Sequence, residues 1–162
     1  MVDAYQDITI PFQMSSVEFF TMVKEHLTEN GVMVVNMNMR GTGEGTINQY
    51  LSDTIASVFG DVYTVDVDGT TNRELFASDN AQMIETFQQN ARKLSDMQLK
   101  NFMVAVSENS QLYEAGSYLM TDDKAPVELL GMQVIDQIIQ GEVAYYKQIY
   151  EQEGISGLLK QL

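Results

Sequence analysis

One segment whose residue types could do chemistry is glycine-rich, Gly41-Thr42-Gly43-Glu44-Gly45, and it lies directly before a predicted helix. The strand predicted after that helix carries Asp66, with Asp68 just beyond. In nucleotide-binding βαβ units such glycines let the backbone approach the cofactor, and an acid about 20 residues later accepts the ribose hydroxyls. The residues that lead into the glycines are polar and end in Arg40, which is unlike the apolar strand such a unit requires. A plain connecting loop is therefore the favoured interpretation, and a nucleotide site is the alternative.

Composition excludes sites that depend on cysteine or on more than one histidine. The chain has no cysteine, so a disulfide framework, a thiolate metal site and thiol catalysis are all excluded. His26 is the single histidine, so neither a histidine metal cluster nor a Ser-His relay has enough members. We expect His26 to be a surface or half-buried helix residue and the chain to hold no cofactor or metal of its own.

Charge and hydropathy bear on location and partners. The formal net charge of −14 opposes the phosphate backbone, so we expect no nucleic-acid partner. Such a field could concentrate cations, although acidic balance is also a common means of keeping a protein soluble. No segment approaches the roughly 18 consecutive apolar residues of a membrane span, and no signal sequence is evident. Together with the absence of cysteine, this indicates a cytoplasmic protein without a membrane segment in this chain.

Hydrophobic spacing predicts an α/β arrangement in residues 1–80. Ser15 and Glu18 form a capping box that opens a helix, and Asn30-Gly31 ends it. The predicted elements are helix 15–29, strand 32–35, helix 47–59, strand 62–67, and a returning antiparallel strand at 74–77. The pattern is that of strands alternating with helices.

Residues 81–162 show a different pattern, with helical spacing and no strong strand. The predicted helices are 81–92, 94–106 and 129–151, and 116–126 is the one long loop. No internal repeat or composition shift demands a boundary, so we expect a single domain over 1–162 with an α/β part (1–80) and a mainly helical part (81–162).

A set of short motifs in a fixed order resembles the spermidine synthase (polyamine aminopropyltransferase) family. In the first third of the chain they are Asp3-Ala4-Tyr5, Ile10-Pro11-Phe12, Ser16-Val17-Glu18-Phe19-Phe20 and Gly31-Val32-Met33-Val34-Val35-Asn36. Further on they are Phe59-Gly60-Asp61-Val62-Tyr63, Asn72 followed by Leu75-Phe76-Ala77, and the run from Leu119 to Glu128. The resemblance covers about residues 1 to 130, and the shared order makes it more specific than any one motif.

The resemblance implies a fold and a reaction. The chain would be the C-terminal half of a methyltransferase-like catalytic domain, with Met1-Val2 ending the fourth strand of a partial class I Rossmann fold. The sheet would be mixed and would carry a C-terminal hairpin and helices. The parent protein would transfer an aminopropyl group from its co-substrate, decarboxylated S-adenosylmethionine, to a polyamine. The first three strands and the nucleotide-holding loop have no counterpart here, so we expect the chain to be inactive alone.

The resemblance also implies site residues. Asp3 matches the family's catalytic aspartate, and Tyr5 and Gln6 would contact the substrate. Classical members carry a second aspartate where this chain has Gln6, with Asp7 one residue beyond, which leaves polyamine specificity open. Asp3 could instead be a capping or loop-stabilising acid.

A second group of acids would lie over the site on the loop that precedes the last helix. It comprises Asp122, Asp123 and Glu128, which could face a cationic substrate. The favoured alternative is that Asp122 or Asp123 caps the helix beginning near Pro126.

Two other functions stay open at this stage. The last predicted helix has an apolar stripe, Val134, Ile138, Tyr145 and Ile149, which could be core or could dock a partner in a non-catalytic interaction module. The same fold also supports methyl transfer. A sheet without its neighbours would leave a strand edge and apolar helix faces uncovered, so we expect a homo-oligomer or pairing with the missing N-terminal half.

Overall fold

The computed structural model describes residues 1–2, 10–38, 44–67, 69–70 and 72–160. The first half contains a 3₁₀ turn at Phe12–Met14, α1 at Val17–Glu25, β1 at Met33–Met37, α2 at Ile47–Ala56, β2 at Asp61–Asp66 and β3 at Arg73–Ser78. The second half contains α3 at Met83–Arg92, α4 at Met97–Asn109, β4 at Gln111–Leu112 and α5 at Val127–Leu159. The α/β class and the predicted order of these elements are confirmed, with one short strand, β4, added.

The start of α1 differs by one residue from the predicted capping box. Ser16, not Ser15, is the N-cap, and its hydroxyl accepts a hydrogen bond of 3.1 Å from the Phe19 amide. The Ser15 hydroxyl instead donates to the carbonyl of Phe12, at 2.7 Å, and closes the 3₁₀ turn. The prediction of Ser15 was wrong because this preceding turn, which the spacing did not reveal, takes up its side chain.

The four strands lie in the order β1-β3-β2-β4, and each strand is antiparallel to its hydrogen-bonded neighbours. β1 and β2 therefore run in the same direction, with β3 between them. Beyond β1, the Val2 amide donates to the Val34 carbonyl at 2.7 Å, and Val2 forms an isolated parallel bridge with Val35. The expected mixed sheet is thus present only through this bridge. α1 lies between Val2 and β1 in the chain, and α2 between β1 and β2, so both parallel relationships are made through a helix, as parallel strands require.

The main core lies between one face of the sheet and the helices α1, α2 and the beginning of α5. The apolar side chains buried there include Phe20, Met33, Val35, Met37, Leu51, Ile55, Leu75, Ala77, Val127 and Leu130. On the opposite face α3 and α4 pack together, and Phe87 of α3 lies against Phe76 of β3 with ring centroids 5.7 Å apart.

The long helix α5 packs against this core only near its beginning. Its buried apolar side chains are Val127, Leu130 and Val134, all in the first turns. Gly154 has φ 65° and ψ −159°, which breaks the helical conformation near the end of α5. Within the described ranges, no helix is both long and apolar enough to cross a bilayer.

Candidate functional site at the carboxyl edge of the sheet

One edge of the sheet collects the N-termini of α1 and α2. α2 follows β1, which runs toward this edge, and α1 follows the bridge that Val2 forms parallel to β1, so we call it the carboxyl edge. In open α/β sheets, ligands bind outside the carboxyl ends of the strands. Asp3, Tyr5 and Gln6, three of the predicted site residues, lie outside the described residues, and their assignment stays a prediction.

A segment from the second half of the chain crosses to this edge, and we call residues 113–122 the strap. The strap is fixed to α2 by Asp53, which is fully buried. Its carboxylate accepts three hydrogen bonds: from the Tyr113 hydroxyl at 2.6 Å, the Gly116 amide at 2.9 Å and the Tyr118 amide at 3.0 Å. A buried carboxylate is tolerated only when it is hydrogen-bonded in this way.

The middle of the strap is held by both helices. The Met120 amide donates to the Thr54 hydroxyl at 3.0 Å, and that hydroxyl donates to the Tyr50 carbonyl at 2.6 Å. The Met120 carbonyl accepts from the amide of Val17, the first residue of α1, at 2.9 Å. The strap is therefore a fixed bridge between α2 and the N-terminus of α1.

Asp122, at the end of the strap, lies against the N-terminus of α1. The Ser16 hydroxyl donates to its carboxylate, and the Asp122 amide donates to the Glu18 carboxylate at 3.1 Å. Both acids lie where the α1 dipole favours negative charge. The interpretation of Asp122 or Asp123 as the cap of α5 was wrong: the N-cap of α5 is Pro126, and the part of the chain described here offers it no side-chain hydrogen bond.

Asp122 and Asp123 are the central residues of a tight turn. The Lys124 amide donates to the Thr121 carbonyl at 2.9 Å, and the Thr121 amide donates back to the Lys124 carbonyl at 3.1 Å. Both aspartates are exposed, and Glu128 is exposed in the first turn of α5. The structure thus brings Asp122 together with Ser16 and Glu18, and it presents three carboxylates to solvent on the segment that enters α5.

Burial raises the pKa of the Tyr113 phenol, and its hydrogen bond to Asp53 and the charge of Asp53 raise that pKa further. Tyr113 therefore stays neutral and acts as a donor to the carboxylate across the physiological pH range. Asp53 was missed by the sequence analysis, because a single polar residue within a helix gives no signal that its side chain is buried.

The glycine-rich loop is described only at its end. Gly45 has φ 72°, and its amide donates to the Gln49 side chain at 2.7 Å. The Tyr50 and Tyr118 rings lie next to each other, with centroids 4.9 Å apart. Gly41 to Gly43 lie outside the described residues, so the choice between a connecting loop and a nucleotide site stays a prediction. The ranges described contain no group of three His, Cys, Asp or Glu side chains arranged to bind a metal ion.

The fold and this edge define an α/β protein that gathers helix N-termini and exposed acids at the carboxyl ends of its strands. No family model matches the chain. A curated relative, the "Probable polyamine aminopropyl transferase" of Bifidobacterium longum (strain NCC 2705), is 52% identical over 177 residues. The alignment covers 99% of this chain and 40% of the relative, so the chain spans less than half of that protein's length. The chain belongs to the polyamine aminopropyltransferase (spermidine synthase) family, as its motifs predicted.

Proposed function

We propose that the complete protein transfers an aminopropyl group from decarboxylated S-adenosylmethionine to an amine of the polyamine class. The observation that carries this proposal is the 52% identity, over 99% of the chain, to a protein named as a probable polyamine aminopropyl transferase. We further propose that this chain corresponds to the last strands of a methyltransferase-like Rossmann domain. Support comes from Val2, which pairs parallel to β1, and from the two helical connections α1 and α2.

The proposed chemistry requires a neutral amine nitrogen. A primary ammonium, with a pKa of about 10, must lose a proton before its nitrogen can attack the carbon beside the sulfonium. The new N–C bond forms as the C–S bond breaks, and the sulfur leaves as a neutral thioether. Asp3 would position the amine and accept its proton, which is general-base catalysis. Tyr5, Gln6, Asp122, Asp123 and Glu128 would contact the cationic remainder of the substrate.

Steady-state assays of the complete protein test this proposal. We expect turnover of decarboxylated S-adenosylmethionine with a diamine or triamine, and a fall of about 100-fold or more in kcat for Asp3→Asn. Asp136→Asn, which removes the same charge from an exposed position of α5, is the matched control and should retain full activity. Turnover of S-adenosylmethionine itself with methyl transfer would instead favour the methyltransferase alternative.

We also propose that the 162-residue chain has no activity alone. Calorimetric titration with decarboxylated S-adenosylmethionine and with methylthioadenosine should show no binding to this chain. Clear saturable binding to either compound would refute the proposal of an incomplete site and would direct attention to the segment around Gly41 to Gly45.

The interaction alternative is favoured by one specific observation, the exposed apolar side chains on α5. Of the predicted stripe, Val134 is buried in the core, whereas Ile138 and Tyr145 are about half exposed and Ile149 is partly buried. We infer that this part of α5 packs against a second copy or against the remainder of the complete protein. Sedimentation of the 162-residue chain and of the complete protein checks this: a monomer in both cases would contradict the homo-oligomer.

A further inference from the structure

We propose that Asp53 is a positioning residue for the carboxyl-edge site, because it fixes the strap and thereby holds Asp122 at the N-terminus of α1. This inference rests on the proposed function, since it assigns to Asp122 the binding of the cationic amine. Asp53 itself is fully buried, so a substrate at the carboxyl edge would not contact it. Its role is to set where Asp122, at the end of the strap, lies.

Within the described residues, the hydrogen bonds that the Asp53 carboxylate accepts all come from one segment of chain, the strap. The carboxylate accepts one hydrogen bond each from the Tyr113 hydroxyl, the Gly116 amide and the Tyr118 amide. These three donors lie 60 to 65 residues away in sequence. Hydrogen bonds to a charged acceptor are roughly twice as strong as neutral ones. Segments without secondary structure of their own otherwise tend to be mobile. The Asp53 carboxylate opposes this mobility from Tyr113 to Tyr118, and the Tyr113 amide also donates to the Val62 carbonyl at 2.8 Å.

The space around the carboxylate is also specific. A Cβ at position 116 would lie 3.0 Å from the carboxylate carbon of Asp53 and closer still to both of its oxygens. Only a glycine lets the strap approach near enough for its amide to donate. The fit thus depends on both partners, a buried acid on α2 and a glycine on the strap.

The strap transmits this position to the edge. From Tyr118 it continues to Met120, which bonds to Thr54 of α2 and Val17 of α1, and then to Asp122, which bonds to Ser16 and Glu18. Every step is a hydrogen bond between rigid elements and the strap. Loss of the Asp53 carboxylate would release the beginning of this path, and the Asp122 side chain would then sample more positions relative to α1.

The test compares Asp53→Asn with Asp136→Asn in the complete protein. The asparagine keeps the size of the side chain but removes its charge and replaces one acceptor with a donor. We expect amide hydrogen exchange at Gly116, Tyr118 and Asp122 to become faster by about tenfold or more, with the amides of β3 unchanged. Asp136→Asn should exchange like the wild type at all of these positions.

Kinetics separate positioning from simple loss of stability. Partial unfolding lowers the active fraction and hence kcat, whereas a displaced binding group raises KM. We therefore expect Asp53→Asn to raise the KM for the amine substrate by about tenfold, with kcat and the KM for decarboxylated S-adenosylmethionine changed by less than about threefold. Adding Asp122→Asn should raise the KM no further, since both changes remove the same contact.

If Asp53→Asn does not fold, Tyr113→Phe gives a milder version of the same test, because it removes one donor and leaves the carboxylate and both amide bonds. It should show a smaller rise of the amine KM in the same direction. An unchanged amine KM in an active protein, or unchanged exchange in the strap, would overturn the role of Asp53. A wild-type protein that turns over no amine would refute the proposed function, and with it the binding role of Asp122, whatever the exchange data show.

Discussion

Two regions of the molecule contain similar apolar side chains in opposite environments. The first is the sheet together with the helices packed on it, and the second is the distal part of α5. In the first region Val35, Leu75 and Ile55 are completely buried. On α5 beyond Val134, large apolar side chains are exposed, namely Ile138, Ile139, Val143, Tyr145, Tyr146, Tyr150, Ile155 and Leu159. The comparison shows that apolar spacing identifies which side of a helix is apolar but does not identify what covers it. Substitutions in the first region should therefore change the free energy of unfolding of this chain strongly, whereas substitutions on the distal part of α5 should change it little.

Removal of a buried side chain from β3 should have the largest effect on the free energy of unfolding. Leu75→Ala removes a completely buried side chain from β3 and should lower the free energy of unfolding by about 2–5 kcal/mol. Ile139→Ala, at a side chain 53% exposed on α5, should change it by less than about 0.5 kcal/mol. Chemical denaturation of the 162-residue chain measures both. Similar losses for the two variants would mean that α5 is already covered, for example by a second copy.

Alanine substitutions at two glycines compare the packed region with α5 in the same way. Gly116→Ala should cost about 1–3 kcal/mol, because the new methyl group is forced against the buried Asp53 carboxylate. Gly141→Ala on α5 should instead stabilise the chain by up to about 1 kcal/mol, because nothing lies within 4 Å of the new Cβ and alanine favours the helix. Thermal denaturation of the two variants side by side gives the sign directly. A stabilising Gly116→Ala would contradict the packing of the strap on α2.

The cap of α1 should make a smaller contribution. Ser16→Ala removes the acceptor of the Phe19 amide and the donor to Asp122, and it should cost about 0.5–2 kcal/mol. Ser15→Ala is the matched control and should cost less, since its hydroxyl serves only the preceding turn. A double-mutant cycle of Ser16→Ala with Asp122→Ala should show non-additivity, and strict additivity would argue against the contact.

The smallest expected effect is a pH dependence at the other end of α1. The hydrogen bond from Lys24 holds the pKa of Asp79 below its ordinary value of 3.8, against the opposing effect of burial and with further help from the Gly60 amide. The resulting stability is present above pH 3.8 and is lost as the pH falls through the lower, folded-state pKa. Because the pair is substantially exposed, we expect less than about 1 kcal/mol. Asp79→Asn should reduce the loss of unfolding free energy at acid pH, measured by denaturation at a series of pH values. An unchanged loss would contradict the lowered pKa of Asp79.

The carboxyl-edge site was predictable only in part. Asp122, Asp123 and Glu128 were selected by resemblance, and the structure does present them on one segment. The role given to Asp122 as a cap of α5 was wrong, because a local capping pattern could not show that Ser16, 106 positions earlier, donates to its carboxylate. Asp3, Tyr5 and Gln6 lie outside the described residues, so their roles in catalysis and substrate binding stay predictions.

Local patterns in the sequence predicted the helices and the three main strands in their order along the chain, and the motifs predicted the family, because periodicity, caps and motifs are local properties of the chain. The tertiary structure was needed to place β3 between β1 and β2, to bury Asp53 beneath the strap, and to leave the large apolar side chains of α5 beyond Val134 exposed among the described residues. Each of these depends on the meeting of segments tens of residues apart. Their energy comes from burial and hydrogen bonding between such segments, which no local pattern contains.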